Sequence, residues 1–299
     1  MPSVYKNISE NKRKTWVVMA LFMVVFVAFG WAVGEFYFDG YGYSFIGGAF
    51  IFSGISSLIS YYYSDKMVLR ISKAKKLPKN ELPQLHNLVE NMCIVSGQKT
   101  IPEIYVINDS APNAFATGRS PEHSVICFTT GIIQKLDKRE LEGVVAHELS
   151  HIQNYDILLM SVVSILVGTI TLVGDVLSRS LFYGRRRRSS GSSGLLAIIG
   201  LVLLILSPII AILIKLAISR KREFLADASA VMKTRYPKGL ADALEKISAD
   251  REPLETANGA TAHLYISNPL KNNRRSSFIG RLFNTHPPVE ERIKRLMGM

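Results

Sequence analysis

The stretch His147–His151, with sequence HELSH, holds two histidines and a glutamate that could bind and use a metal ion. It lies in a helix-like run from Glu142 to Asp156, and helix positions i and i+4 share a face. Both imidazoles can therefore reach one ion, and zinc takes neutral imidazole nitrogen as a ligand. Glu148 can reach a metal-bound water and accept its proton. The spacing predicts a hydrolytic zinc site, although the motif arises by chance in about one per cent of such chains.

Two further carboxylates, Glu223 and Asp227, also stand four residues apart in a helix-like run. A catalytic zinc site takes three protein ligands and one water, so Glu223 is the predicted third ligand. Asp227 could accept a hydrogen bond from the other ring nitrogen of His147 and so orient that ring. The alternative is an acidic pair that binds Arg220 and Arg222 on a solvated helix face, and the spacing leaves both possibilities open.

Two other segments carry weaker signals of substrate binding. The first consists of Asn113, Ala114, Phe115 and Ala116. It precedes a predicted strand at 124–129 and could offer an edge to which an extended peptide adds, the alternative being an ordinary turn. Near the C-terminus, His286 and Arg292 could stabilise the oxyanion of a tetrahedral intermediate. Spacing alone favours a plainer interpretation there, in which a proline pair starts a helix and Arg292 lies on the surface.

Four apolar stretches, each long enough to cross a bilayer as a helix, divide the chain. They cover residues 15–33, 43–63, 157–182 and 195–218. Basic residues flank the first pair on both sides and none lies in the turn between them, so the positive-inside rule puts both flanks in the cytoplasm. The connector of the second pair carries Arg185–Arg188, which conflicts with that rule. The second pair therefore spans despite these charges, as its length favours, or lies partly in the interface or on protein.

The remaining sequence predicts a soluble α+β region that is mainly helical. Strands are expected at 103–108 and 124–129, and Asp137 is expected to cap the helix that carries His147. The predicted organisation has four parts: a transmembrane hairpin at 1–63, cytoplasmic parts at 64–156 and 219–299, and a second apolar hairpin at 157–218. A small sheet is expected beside the helix of His147.

Composition narrows the class of protein. Apolar residues make up 48% of the 299 residues, which excludes a disordered chain. The net charge of +12 comes without a nucleic-acid-binding motif, and the basic clusters lie beside the apolar stretches, as expected for anionic lipid head groups. No nucleic-acid partner is therefore predicted. Cys93 and Cys127 could form one bridge, but two reduced thiols in a cytosolic compartment are expected.

The combination of these motifs, in this order, resembles the HtpX-type membrane-bound zinc metalloproteases, relatives of the type I CAAX prenyl endopeptidases. The resemblance covers essentially the whole chain. It is carried by the following segments: the N-terminal apolar pair, Ala111–Gly118, His147–His151 with Asn154 and Asp156, the second apolar pair, Ser219–Asp227, Asn268-Pro269, and Thr285–Leu296. It implies a gluzincin-like zinc metalloprotease domain with four transmembrane helices and one Zn²⁺ per subunit.

The resemblance also implies the role of each site residue. His147, His151 and Glu223 would bind zinc, Glu148 would be the catalytic base, and Asp227 would support a ligand. His286 and Arg292 would assist the transition state, and the strand from Asn113 to Ala116 would hold the substrate backbone. The implied activity is proteolysis of damaged or misfolded membrane proteins, as part of a stress response. The implied location is the cytoplasmic side of the inner membrane, with the chain crossing the bilayer several times.

Two alternatives to an endopeptidase at the membrane surface remain. One differs in the location of the zinc site, and the other lacks catalytic activity. An intramembrane zinc protease would bury the same motif in a transmembrane helix, with a distant aspartate as ligand. Here the motif precedes the third apolar stretch and Glu223 follows the fourth, so the site is expected at the membrane surface. A non-catalytic zinc-binding scaffold would be marked by a lost ligand or base, and none is lost.

Overall fold

A computed structural model describes most of the chain. The described residues are 4–38, 40–183, 219–269 and 287–299, together with Ile210, Ile212 and Leu213. The Arg185–Arg188 connector, nearly all of the fourth apolar stretch and His286 lie outside them. The described part is mainly helical with one four-stranded sheet, which confirms the predicted fold class.

The described part of the chain contains nine helices and four strands. The helices are α1 (Val4–Tyr37), α2 (Gly42–Ile71), α3 (Pro83–Ser96), α4 (Thr130–Lys135), α5 (Lys138–Gln153), α6 (Asp156–Tyr183), α7 (Arg220–Thr234), α8 (Pro237–Ala249) and α9 (Val289–Met297). The strands are β1 (Lys75–Lys76), β2 (Glu103–Ile107), β3 (Ala114–Ser120) and β4 (His123–Thr129). A short 3₁₀ turn, Ala262–Leu264, follows α8.

Three of the described helices are long and apolar enough to cross a membrane. The candidate spans are Asn7–Glu35 in α1, Gly42–Ile71 in α2 and Asp156–Val176 in α6. They match the first three predicted stretches. The fourth predicted stretch falls almost wholly outside the described residues and stays a prediction.

The three candidate spans differ in how much of their surface other residues cover. Only 17% of the α2 window is buried, whereas 67% of the α6 window is. The apolar cluster on α6 includes Leu159, Val163 and Leu166, and it packs on Val18 and Phe22 of α1. The third apolar stretch is thus long enough to span and is also packed on protein over most of its length.

The sheet places one strand at an edge beside α5. Its order is β1-β2-β4-β3, with β2 and β4 parallel and the other pairs antiparallel. β3 pairs with β4 in the register Phe115↔Cys127, so its second edge is turned away from the sheet. The segment 114–116, which sequence left open between a turn and a strand, is therefore edge strand. Cys93 and Cys127 are both buried free thiols.

α5 begins where the sequence predicts and ends earlier. The carboxylate of Asp137 accepts from the backbone N–H of Glu140 at 2.9 Å, and the Glu140 carboxylate accepts from the N–H of Asp137 at 2.8 Å. The helix ends at Gln153, because Tyr155 adopts a left-handed backbone with φ of 60°. The expected continuous run to Asp156 is therefore wrong, and Asp156 opens α6 instead.

Candidate metal centre

Three side chains from two helices converge at the end of α5. His147, His151 and Glu223 each present a ligand atom, and these atoms all lie within 4.8 Å of one another. The two Nε2 atoms are 3.1 Å apart. Glu223 places its carboxylate oxygens 3.8 Å from Nε2 of His147 and 3.6 Å from Nε2 of His151. All three residues are buried. The predicted trio therefore meets, although α7 begins more than sixty residues after α5 ends.

A carboxylate lies behind each imidazole. Nδ1 of His147 lies 3.0 Å from Oδ1 of Asp227, and Nδ1 of His151 lies 3.0 Å from Oδ2 of Asp156. These contacts favour the proton on Nδ1 of each ring and leave the Nε2 lone pairs directed at the centre. Two such lone pairs 3.1 Å apart repel unless a proton or a cation lies between them. The donor set of two imidazoles and one carboxylate fits a divalent ion such as zinc.

The two histidines have opposite electrostatic surroundings. Burial lowers the pKa of His147 to about 4, against the opposing influence of Asp227. Burial also acts to lower the pKa of His151, but the hydrogen bond to Asp156 and the charges of Glu223 and Asp156 outweigh it and raise the pKa to about 9. The surrounding carboxylates thus favour a positive charge at His151. A cation bound at Nε2 would replace the second proton of this ring.

Glu148 is buried next to the candidate ligands and faces β3. Burial raises the pKa of its carboxyl to about 7, and a hydrogen bond from the backbone of Ala116 acts in the other direction. A carboxyl that titrates near neutrality can hold a proton and release it, which a general base requires. The contact with Ala116 also puts this carboxyl directly against the edge strand.

Arg292 is fully buried, so the expectation of a surface arginine is wrong. Its Nε and Nη2 donate to the two carboxylate oxygens of Asp227 at 2.9 and 2.7 Å, and Nη1 donates to the backbone oxygen of Ile266 at 3.1 Å. Burial raises the pKa of Asp227, but the charge of Arg292 and the contact with His147 outweigh it and lower the pKa to about 2. Asp227 thus links Arg292 to His147 and does not pair with Arg220 on a solvated face.

The four residues predicted to bind substrate have buried side chains, so only their backbone could serve a peptide. Phe115 packs edge-on against Tyr265, with ring centroids 4.9 Å apart. Asn113 donates its side-chain N–H to the backbone oxygen of Ser267 at 3.0 Å. Ala114 accepts at its backbone oxygen from Ile266 at 2.9 Å. The start of β3 is therefore already paired with a later segment, and Ala116 lies beyond that pairing.

Sequence reasoning noted Asp156 in the turn after the motif but assigned it no role. The side chain is only 1% exposed and holds His151 through Oδ2. Its Oδ1 accepts from Asn11 at 2.7 Å and lies 3.4 Å from Nη1 of Arg222. The signal available in the sequence was an aspartate five residues after the second histidine, within reach of its Nδ1.

Comparison with known proteins identifies the family. The family model described as Peptidase family M48 matches residues 79–299. The chain belongs to peptidase family M48. A "Protease HtpX homolog" from Dictyoglomus thermophilum is 45% identical over 295 residues, which cover 99% of this chain and 94% of the relative. Proteins of the same description from Tropheryma whipplei and Caldanaerobacter subterraneus are 40% and 44% identical, over 99% of this chain and 98% of each relative.

A solved structure shows a weaker likeness. The crystal structure of S. mikatae Ste24p aligns with a TM-score of 0.46 and 19% identity, over 93% of this chain and 62% of that chain. The family assignment rests on the sequence matches. An M48 chain with this cluster and three candidate membrane helices is a membrane-bound metallopeptidase.

Proposed function

We propose that the chain is a zinc-dependent endopeptidase that cleaves misfolded or damaged membrane proteins at the cytoplasmic face of the inner membrane. The observation that carries this proposal is the convergence of two Nε2 atoms and the Glu223 carboxylate beside a buried Glu148. Zinc, when bound, would polarise a peptide carbonyl and acidify a bound water. His147, His151 and Glu223 would hold it.

The chain's own residues would then divide the remaining work. Glu148, buried beside the candidate ligands, would take a proton from the attacking water and pass it to the leaving amine. Asp227 and Asp156 would keep the two rings in the tautomer that turns Nε2 to the centre. Arg292 would keep Asp227 ionised and in place. The direct role of Arg292 and His286 in oxyanion binding stays a prediction.

The substrate is proposed to bind as an extended strand. β3 is the sheet edge nearest to Glu148, and an extended peptide can add to such an edge through backbone hydrogen bonds. Strand addition recognises the backbone of the substrate rather than its side chains. It therefore suits unfolded segments of many different sequences. The candidate spans beside the site, together with the HtpX-named relatives, support membrane proteins as substrates and the bilayer as a partner.

The position of the site argues against cleavage inside the bilayer. Asp156 is the first residue of the third candidate span, and His147 and His151 precede it on a separate helix. This arrangement supports candidate ligands at the end of the membrane region rather than in its middle. The presence of every ligand together with the base argues against a non-catalytic scaffold.

The test compares purified wild type with Glu148→Gln and, as a matched control on the same helix, Glu142→Gln. Zinc content and cleavage of an unfolded membrane-protein substrate are measured for each. We expect one zinc per chain in all three, cleavage by wild type and Glu142→Gln, and a loss of about 10²–10⁴-fold in Glu148→Gln. Undiminished cleavage by Glu148→Gln would overturn the role of the base, and cleavage sites confined to mid-bilayer residues would overturn the surface location.

A further inference from the structure

We propose that Asn11, on the first candidate membrane helix, is a positioning residue for His151 and couples that helix to the metal centre. The inference rests on the proposed metal site and goes beyond it, because Asn11 belongs to no motif of that site. It lies near the N-terminal end of α1, 143 residues before Asn154, the C-cap residue of α5. Its side chain is nevertheless 3% exposed, which is unusual for a polar residue on an anchor helix.

A chain of two hydrogen bonds joins Asn11 to the metal ligand. Nδ2 of Asn11 donates to Oδ1 of Asp156 at 2.7 Å, and Oδ2 of Asp156 lies 3.0 Å from Nδ1 of His151. The two oxygens of one carboxylate thus face two different partners. An orienting carboxylate holds an imidazole only as firmly as the carboxylate is itself held. Asn11 restrains the rotation of Asp156 and therefore the direction of Nε2 on His151.

The same amide also holds the link between α5 and α6. Nδ2 of Asn11 donates to the backbone oxygen of Asn154 at 2.9 Å, at the C-cap of α5. The next residue of α1, Lys12, places Nζ 4.1 Å from the ring centroid of Tyr155. Tyr155 is the residue whose left-handed backbone separates the two helices. Consecutive residues of α1 therefore contact both residues of the link, Asn154 and Tyr155, as well as Asp156 at the start of α6.

Arg222 makes a longer contact with Oδ1 of Asp156. Nη1 of Arg222 lies 3.4 Å from this oxygen, against 2.7 Å for Nδ2 of Asn11. Arg222 also sits on α7, the helix that carries Glu223, so it moves with the other side of the site. Asn11 is the partner that connects Asp156 to α1. Because α1 is a candidate membrane span, a displacement of α1 along its axis would change the hydrogen bonding of Asp156 and the orientation of His151.

The test uses four variants of the full-length chain in a Glu148→Gln background, so that metal binding is measured without turnover. Asn11→Leu keeps the size and removes the donor, Asn11→Asp keeps the size and sets a second carboxylate against Asp156, and Asn11→Gln keeps the donor. Thr15→Val is the matched control. Thr15 is fully buried one turn along α1, and its hydroxyl donates to the backbone oxygen of Asn11 at 2.9 Å.

Three readouts are taken: zinc loss to a chelator, the visible spectrum of the cobalt-substituted protein, and the apparent melting temperature. We expect zinc loss to be about tenfold faster in Asn11→Leu and at least as fast in Asn11→Asp, with a shifted cobalt spectrum in both. Asn11→Gln should recover part of the retention, and Thr15→Val should match the parent protein in both metal readouts. A change in melting temperature alone would be expected of a merely structural residue.

Two results would overturn the inference. One is zinc retention and a cobalt spectrum in Asn11→Leu that equal those of the parent protein. The other is an equal acceleration of zinc loss in Thr15→Val, which would assign the effect to general loosening of α1. Failure of the proposed function is a separate observation, namely cleavage by Glu148→Gln. If Glu148→Gln still cleaves and Asn11→Leu still accelerates zinc loss, the inference about Asn11 stands and the proposed role of Glu148 fails.

Discussion

His147 and His151 stand on one helix and are each oriented by a carboxylate from a different helix. Asp227 on α7 faces the first ring and Asp156 on α6 faces the second. The chemistry of the centre therefore depends on how three helices meet, and the ligands alone do not define it. Arg292 adds a fourth helix, α9, through its two hydrogen bonds to Asp227.

The first prediction at the residue scale concerns Asp227→Asn. The change should lower metal affinity and peptidase activity by about 10–100-fold, because the amide no longer fixes the tautomer of His147. It also removes the carboxylate that accepts two hydrogen bonds from the buried guanidinium of Arg292 and leaves Glu223, at 3.8 Å, as the acidic partner, which should cost about 3–5 kcal/mol. Zinc retention and the apparent melting temperature measure the two effects separately.

The control for this variant is Glu291→Gln, which removes an exposed carboxylate that pairs with Arg295 at 2.8 Å. An exposed pair is worth little, so both readouts should stay near those of wild type. The pKa of Asp227, about 2 in the fold against 3.8 unperturbed, means that its contribution is complete above pH 4 and is lost as pH falls through 2. The stability gap between wild type and Asp227→Asn should narrow over that range, and a gap that widens would contradict the account.

At the scale of elements, α5 is held against α8 by a close approach at Gly143. A Cβ on this residue would lie 2.8 Å from the backbone nitrogen of Leu240 and 2.9 Å from its Cα. The neighbouring atoms belong to the backbone, so they cannot avoid a new Cβ by a change of rotamer as the end of a long side chain could. The close approach fixes the distance between α5 and α8 one turn before His147. The capping box at Asp137 fixes the residue at which α5 begins.

Gly143→Ala should therefore destabilise the protein by about 1–3 kcal/mol, although the same change in an open helix interior stabilises by about 1 kcal/mol. Zinc should also be lost faster, since α5 must move away from α8. Gly47→Ala on α2, where a Cβ meets nothing within 4 Å, is the control and should not lower the melting temperature. Equal melting temperatures for the two variants would show that the approach at Leu240 relaxes without cost.

At the scale of the whole molecule, the candidate membrane helices and the catalytic region share packing. The cluster between α1 and α6 joins Phe22 to Leu159 and Val163, a few residues beyond Asp156. A second cluster joins Met160 and Ile165 of α6 to Phe115 of β3. α6 thus touches the anchor on one side and the proposed substrate strand on the other. Lipid or detergent that shifts α1 is expected to alter activity for this reason.

The prediction at this scale compares two Phe→Ala changes. Phe22→Ala, at a residue 1% exposed, should cost about 3–5 kcal/mol through the cavity left against α6 and should reduce activity at a given temperature. Phe50→Ala, at a residue 57% exposed on α2, removes the same side chain from an outer face and should change neither. Melting curves and peptidase assays in one detergent measure stability and activity for both variants. Equal effects of the two changes would mean that the packing of α1 on α6 does not support the catalytic region.

Much of the site follows from local spacing. The i, i+4 pairs placed His147 with His151 and Glu223 with Asp227, because helix geometry alone puts such residues on one face. The capping box was also readable, because Asp137 and Glu140 stand at the N-cap to N3 spacing at which each carboxylate reaches the other's backbone N–H. The break at Tyr155 was not, since a left-handed non-glycine residue leaves no local signal and is held by tertiary contacts. β3 was ambiguous because turn-forming residues, Ser110, Pro112 and Asn113, come directly before it.

By itself, the sequence determined the types and spacing of the candidate metal-binding residues, the glutamate proposed as base beside them and the apolar lengths that suit a bilayer. These depend on neighbours within a turn or two of the chain. Only the tertiary structure decided that Asp156 orients His151, that Arg292 is buried on Asp227, and that Asn11 reaches across 145 residues to Asp156. Such contacts depend on how separate helices pack, and no local pattern encodes the partner of a side chain that lies so far along the chain.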